Sequence, residues 1–154
     1  MPMCECRFES VKLSSKARYG LRAIFDLAYH AGRGAAQGKD IADRQEIPAR
    51  FLEQIFQDLK RAGLVSAKRG PKGGYQLTRS ASEIRVGEII RALEGPCELV
   101  PKGTRPLTAP DRALSELARE IDVVLDATTI ESLCERADEQ GEKRRPGGAL
   151  VYAI

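Results

Sequence analysis

The strongest constraint on this chain is a change of hydrophobic period at Gly63. Before it, Leu52, Ile55, Phe56, Leu59 and Ala62 recur at the spacing of one helix face, and Pro48, a residue favoured at the first helical position, opens the pattern. Gly63 closes it in the usual place after a helix. Beyond it the sequence turns extended: Leu64 to Lys68 and Tyr75 to Thr78 predict two short strands, separated by the turn formers Arg69-Gly70-Pro71-Lys72-Gly73-Gly74. Upstream, Asp40 to Gln45 predicts a short helix with Ile41 and Ala42 inward, joined through Glu46-Ile47 to the longer one. Two helices across a tight turn, followed at once by a hairpin, define a winged helix-turn-helix.

The remaining elements are helical. A first helix is expected from Ser15 to Ala31, with Ala17, Leu21, Ile24, Phe25 and Ala28 at helical spacing and Gly32 as the stop. Val86 to Leu93 predicts another, ending at Gly95-Pro96, and Cys97 to Pro110 reads as loop. Asp111 to Ala127 predicts a helix about 25 Å long, with Leu114, Leu117, Ile121, Val124 and Leu125 as an apolar dimerisation stripe. Thr128 and Glu131 have the spacing of a capping box opening a last helix through Glu139. The expected fold is mostly α with a small β-hairpin wing: an N-terminal tail (1–11), a winged helix-turn-helix DNA-binding domain (12–80), a dimerisation region (81–140) and a C-terminal tail (141–154).

Composition supports a nucleic-acid role. Of 154 residues, 42% are hydrophobic and 31% charged, the balance of a globular chain. No apolar run is long enough for a membrane span, and a cytoplasmic location is the expectation. The net charge of +3 hides an asymmetry: residues 1–80 hold 15 Lys and Arg against 8 Asp and Glu, residues 81–154 hold 10 against 14. A basic half joined to an acidic one fits a chain whose first half meets a polyanion. An enzyme is not expected: there is one histidine, His30, and the glycine-rich stretch 70–74 leads into a strand rather than a phosphate-binding helix.

Six basic residues and no acidic one lie between Lys60 and Arg79. On a wing, Lys68, Arg69 and Lys72 would contact phosphates, which supply affinity rather than sequence choice. Ala49, Arg50, Glu53, Gln54 and Gln57 are the outward positions at the start of the second helix. Arginine pairs with guanine, glutamine with adenine, and a carboxylate accepts from the cytosine amino group. Cys4 and Cys6 read as thiols of the tail, and Cys134 as a small buried hydrophobe.

Val11 to Ala23, Phe51 to Ile55, Gly63-Leu64-Val65, Arg69 to Tyr75 and Val86 to Gly95 together resemble a bacterial family of winged-helix regulators that includes IscR, NsrR and CymR. The resemblance implies a homodimeric transcription factor whose long helix crosses that of its partner. It also implies DNA contacts around Lys16, Tyr19, Arg50, Glu53, Gln54 and the wing from Arg69 to Gly74, which includes Gly73. Cluster-sensing members of the family carry three closely spaced cysteines before the long helix, whereas the corresponding loop here holds only Cys97. No cofactor and no metal ligands are therefore expected. Ile89 to Pro96, Val123 to Glu131 and the apolar ending with Tyr152 and Ile154 resemble the cysteine-metabolism repressors of the family. That likeness implies repression of sulfur-assimilation genes, with cysteine synthase as a protein partner. The alternative is an iron-sulfur, redox or nitric-oxide sensor with atypical ligands. Two-fold symmetry implies a pseudo-palindromic operator on double-stranded DNA.

Overall fold

The computed structural model describes residues 12–32, 34–103 and 106–144. In chain order the elements are α1 (Ser15–Asp26), continued by a π-helical turn (Leu27–Ala31), then α2 (Gly38–Gln45), α3 (Ala49–Arg61), β1 (Val65–Lys68), β2 (Gly74–Leu77), α4 (Val86–Glu94), α5 (Ala109–Ala127) and α6 (Ile130–Glu139). The winged helix-turn-helix read from the sequence is present. The N-terminal tail, with Cys4 and Cys6, and residues 145–154 of the C-terminal tail, with the apolar ending, lie outside the described residues.

Local chemistry sets the element ends. The Ser14 hydroxyl accepts from the Ala17 N–H at 3.1 Å and caps α1. Between α2 and α3, Glu46 takes the left-handed conformation at φ 53°, and the Ile47 N–H donates to the Ala42 carbonyl at 3.0 Å. Pro48 precedes α3 as its cap rather than opening it, and its carbonyl accepts from Phe51 and Leu52, both at 3.0 Å. A proline cap needs no N–H of its own, so the tight turn loses no hydrogen bond.

The hairpin is antiparallel, with Val65 opposite Leu77 and Lys68 opposite Gly74. A third segment, from the glycine-rich stretch between α1 and α2, braces it: Ala36 bridges Tyr75, with N–H to carbonyl bonds of 2.9 and 2.8 Å in both directions. Gly74, at φ 143°, makes this approach feasible, because a Cβ there would run into the Ala36 carbonyl.

A single apolar cluster crosses residue 80, the boundary expected between the two units. Ile84, Val86, Ile89, Ile90 and Leu93 around α4, and Ile130, Cys134 and Ala137 of α6, pack with Ile24, Ile55 and Phe56 of α1 and α3. Only α5 stands apart, with Ala118 as its one buried residue. It is fastened to α4 by Arg91, which donates to Asp126 at 2.6 Å and to Asp122 at 3.4 Å. Its start is two residues earlier than the apolar pattern predicted, because Thr108 and Asp111 form a reciprocal capping box. The cap of α6 also differs. Thr129, not Thr128, accepts from the Ser132 N–H at 3.1 Å, while the Thr128 hydroxyl donates back to the Val124 carbonyl. The Glu131 N–H is occupied by the Ala81 carbonyl, so the expected Thr128–Glu131 box does not form. Among the described residues no helix is long and apolar enough to cross a membrane.

Candidate nucleic-acid interface

The amphipathic pattern of α3 divides it cleanly. Leu52, Ile55, Phe56 and Leu59 are buried, and Arg50, Glu53, Gln54 and Gln57 are exposed on the other side. None of those four side chains forms a hydrogen bond or ion pair among the described residues, so their polar groups are available to a ligand. Beside them, Gly38 and Lys39 of α2, Glu53 and Phe56 of α3 and Tyr75 of β2 wall a cleft of about 300 Å³. The Tyr75 ring lies flat on Phe56, centroids 3.9 Å apart and planes 7° from parallel. This stack fixes the wing against α3, so groups on both elements keep one relative orientation. Lys39, exposed and lining this cleft, was not anticipated; nothing in its local sequence distinguishes it from a solvated lysine.

On the wing, Lys68, Arg69 and Lys72 are exposed. Gly73 is buried, and its N–H donates to the Gly70 carbonyl at 2.9 Å. A Cβ there would collide with the Lys68 carbonyl. Gly73 thus shapes the tip that presents the cations.

Two of the other anticipated contacts have internal partners. Lys16 Nζ lies 2.5 Å from the Asp58 carboxylate of α3, which also accepts from Arg61 at 2.6 Å. The Lys16 hydrogen bond, reinforced by both positive charges against the cost of burial, holds the Asp58 carboxyl below its ordinary range. Tyr19 is half-buried and meets Phe51 edge to face at 5.7 Å, with the Arg22 guanidinium 5.9 Å from its ring. It joins α1 to α3 as well as facing outward.

The sequence reading missed the group that sets α2 against α1. Asp26 is fully buried, and it accepts from Arg44 at 2.6 and 3.1 Å and from Gln45 at 2.9 Å. These bonds, with Asp26 as the first cause, raise the Arg44 guanidinium above its already high value. The available signal was a carboxylate set between Phe25 and Leu27.

The stripe on α5 is open. Leu114, Leu117, Ile121 and Val124 are 40, 48, 40 and 64% exposed. Leu125 departs from them and packs, partly buried, against the core. A helix turns about 100° per residue, so Val124 and Leu125 cannot share a narrow face.

The two described cysteines lie on different elements. Cys134 is buried in α6, where burial above all pushes its thiol up to about 11. Cys97 is half-buried in the α4–α5 loop, its thiol raised by burial and by the Asp122 charge. Among the described residues no group of three or more His, Cys, Asp or Glu is placed to hold a metal ion.

A two-helix reader with an open polar face, braced by a basic wing, defines a winged helix-turn-helix transcriptional regulator. The chain belongs to the Rrf2 family, described as iron-dependent transcriptional regulators, whose model matches residues 13–136. It is similar to the transcriptional regulator IscR of Photorhabdus laumondii, 35% identical over 158 aligned positions that cover 94% of this chain and 96% of that protein. Among solved structures it resembles CymR, the global cysteine regulator of B. subtilis, at TM-score 0.74 and 36% identity, covering 82% of this chain and 98% of that one. It resembles T. potens IscR at TM-score 0.74 and 34% identity, covering 93% and 98%.

Proposed function

We propose that this regulator is a homodimeric repressor that places α3 in the major groove of a pseudo-palindromic operator and sets its wing on the flanking phosphates. The observation that carries this reading is the α3 face itself: Arg50, Glu53, Gln54 and Gln57 are exposed and unengaged among the described residues, beside Lys68, Arg69 and Lys72. Glu53, Gln54 and Arg50 supply base readout, while the wing and Lys16 supply charge. The exposed stripe of α5 pairs with its counterpart in a second copy, and the symmetry of that pair sets the half-site spacing. A regulator of this kind acts in the cytoplasm. Selection of bound duplexes from a random pool, followed by anisotropy titration at several salt concentrations, tests the proposal. The expected result is an enriched inverted repeat with affinity falling steeply in salt; no enrichment, or binding indifferent to salt, refutes it.

For the regulated genes, the cysteine-metabolism branch is the preferred reading. It is supported by the likeness to CymR and by a loop before α5 with a single thiol, Cys97. On this reading cysteine synthase is the protein partner, and adding the host's cysteine synthase should shift the anisotropy titration. The family description and the likeness to IscR favour a second reading, an iron-sulfur or redox sensor with atypical ligands. An anaerobic absorption spectrum with iron and sulfide assays separates the two: a colourless, iron-free protein supports the first, a cluster band with matching iron and sulfide the second.

A further inference from the structure

A cavity of about 570 Å³ lies between the α4–α5 loop and α5, and no residue of α2, α3 or the wing lines it. That volume is within the range of small-molecule sites. Its apolar wall is made by Leu99, Val100, Leu107 and Ala118. The charged groups around it are unequal. Lys102 is paired with Glu98 at 2.5 Å, and Asp122 with Arg91 at 3.4 Å. Arg119 also lines the cavity and forms no hydrogen bond or ion pair among the described residues. Among the described residues the free charge at this cavity is therefore one guanidinium, whose planar fork matches a carboxylate with two parallel hydrogen bonds.

We infer that this cavity binds a small organic carboxylate with an apolar chain, the carboxylate on Arg119 and the chain against Leu99, Val100 and Ala118. Cys97 adds a neutral wall rather than a competing anion, because burial and Asp122 keep its thiol protonated. The placement makes the occupant an effector. Asp122 lies three residues beyond Arg119 on α5, on neighbouring positions of one helix face, and its partner Arg91 belongs to α4, whose Ile89 and Leu93 share a core with α1 and α3. A ligand on Arg119 would sit about one helical turn from the ionic contact that fastens α5 to α4.

Calorimetric titration of the full chain with octanoate, octylamine and octanol tests the site without DNA, so its outcome is independent of the DNA-binding proposal. The three probes share one chain and differ in charge. Octanoate is expected to bind saturably at one site per chain, and the other two at least tenfold more weakly. Arg119→Ala is expected to weaken octanoate roughly tenfold or more. The variant should keep the wild-type melting temperature, since Arg119 is exposed. Absence of saturable octanoate binding, equal binding of octylamine, or an Arg119→Ala protein that binds octanoate unchanged would overturn the inference.

Discussion

Replacing Asp58 with asparagine is expected to strengthen DNA binding and to steepen its salt dependence. Asp58 lies on α3 and holds two cations, Lys16 at 2.5 Å and Arg61 at 2.6 Å, whose side chains are 36 and 77% exposed. While paired, each divides its charge between a carboxylate and any phosphate it meets. Asparagine keeps the size and removes the charge. For B-DNA, each phosphate neutralised adds about 0.9 to the slope of log affinity against log salt. Releasing one cation therefore steepens the slope by up to about 0.9, and releasing both by up to about 1.8. Lowering salt from about 200 to about 50 mM then widens the advantage of Asp58→Asn over wild type by about 3.5-fold for one cation and about 12-fold for two. Fluorescence anisotropy with one labelled duplex at four or five salt concentrations measures both quantities. A variant that melts like wild type but shows an unchanged slope, or binds more weakly at every salt concentration, would refute the placement of Lys16 and Arg61 beside the phosphates.

Four further outcomes follow from the same contacts. Because the folded Asp58 carboxyl is held below its ordinary range, its contribution to stability is complete above the ordinary carboxylate range and fades as pH falls through the folded value; the stability gap between wild type and Asp58→Asn should close on the acid side in urea melts. Arg44→Ala leaves the fully buried Asp26 without its two guanidinium bonds and should cost about 3–5 kcal/mol in urea unfolding, a large share of a typical domain's stability; a loss below about 1 kcal/mol would contradict the network. Ile121→Glu puts a charge in the middle of the open α5 stripe, and sedimentation equilibrium should then give the mass of one chain where wild type gives two. Gly87→Ala drives a Cβ into the Asp126 carboxylate and displaces it from Arg91, so it should lower the melting temperature of wild type but add little to an Asp126→Ala background.

The parts of this fold legible in the sequence are those in which one segment determines its own form. The period of α3, its glycine stop and the turn-rich wing tip each follow from neighbours within a few residues, and the outward set Arg50, Glu53, Gln54 and Gln57 follows from the same period. An apolar face shows that a helix is buried on that side; it does not name the element that covers it. For that reason the patterns of α4 and α6 do not reveal that Ile89 and Ile130 lie in the same core as Ile24 and Phe56. The stripe of α5 carries the same ambiguity in reverse: five apolar positions were legible, but only the packing of α4 against α5 decides that Leu125 turns to the body while Val124 stays open. Polar residues inside apolar patterns are the clearest signs of such distant pairing. Asp26 broke the stripe of α1 visibly, yet its partner Arg44 lies beyond a glycine-rich loop, and Tyr29 reaches across the chain to donate to Asp138 and to the Glu142 carbonyl. A buried carboxylate or phenol announces that a partner must exist. Which residue answers depends on the path of the chain between them, here on the bridge from Ala36 to Tyr75 and on a glycine at 74 that no periodicity encodes.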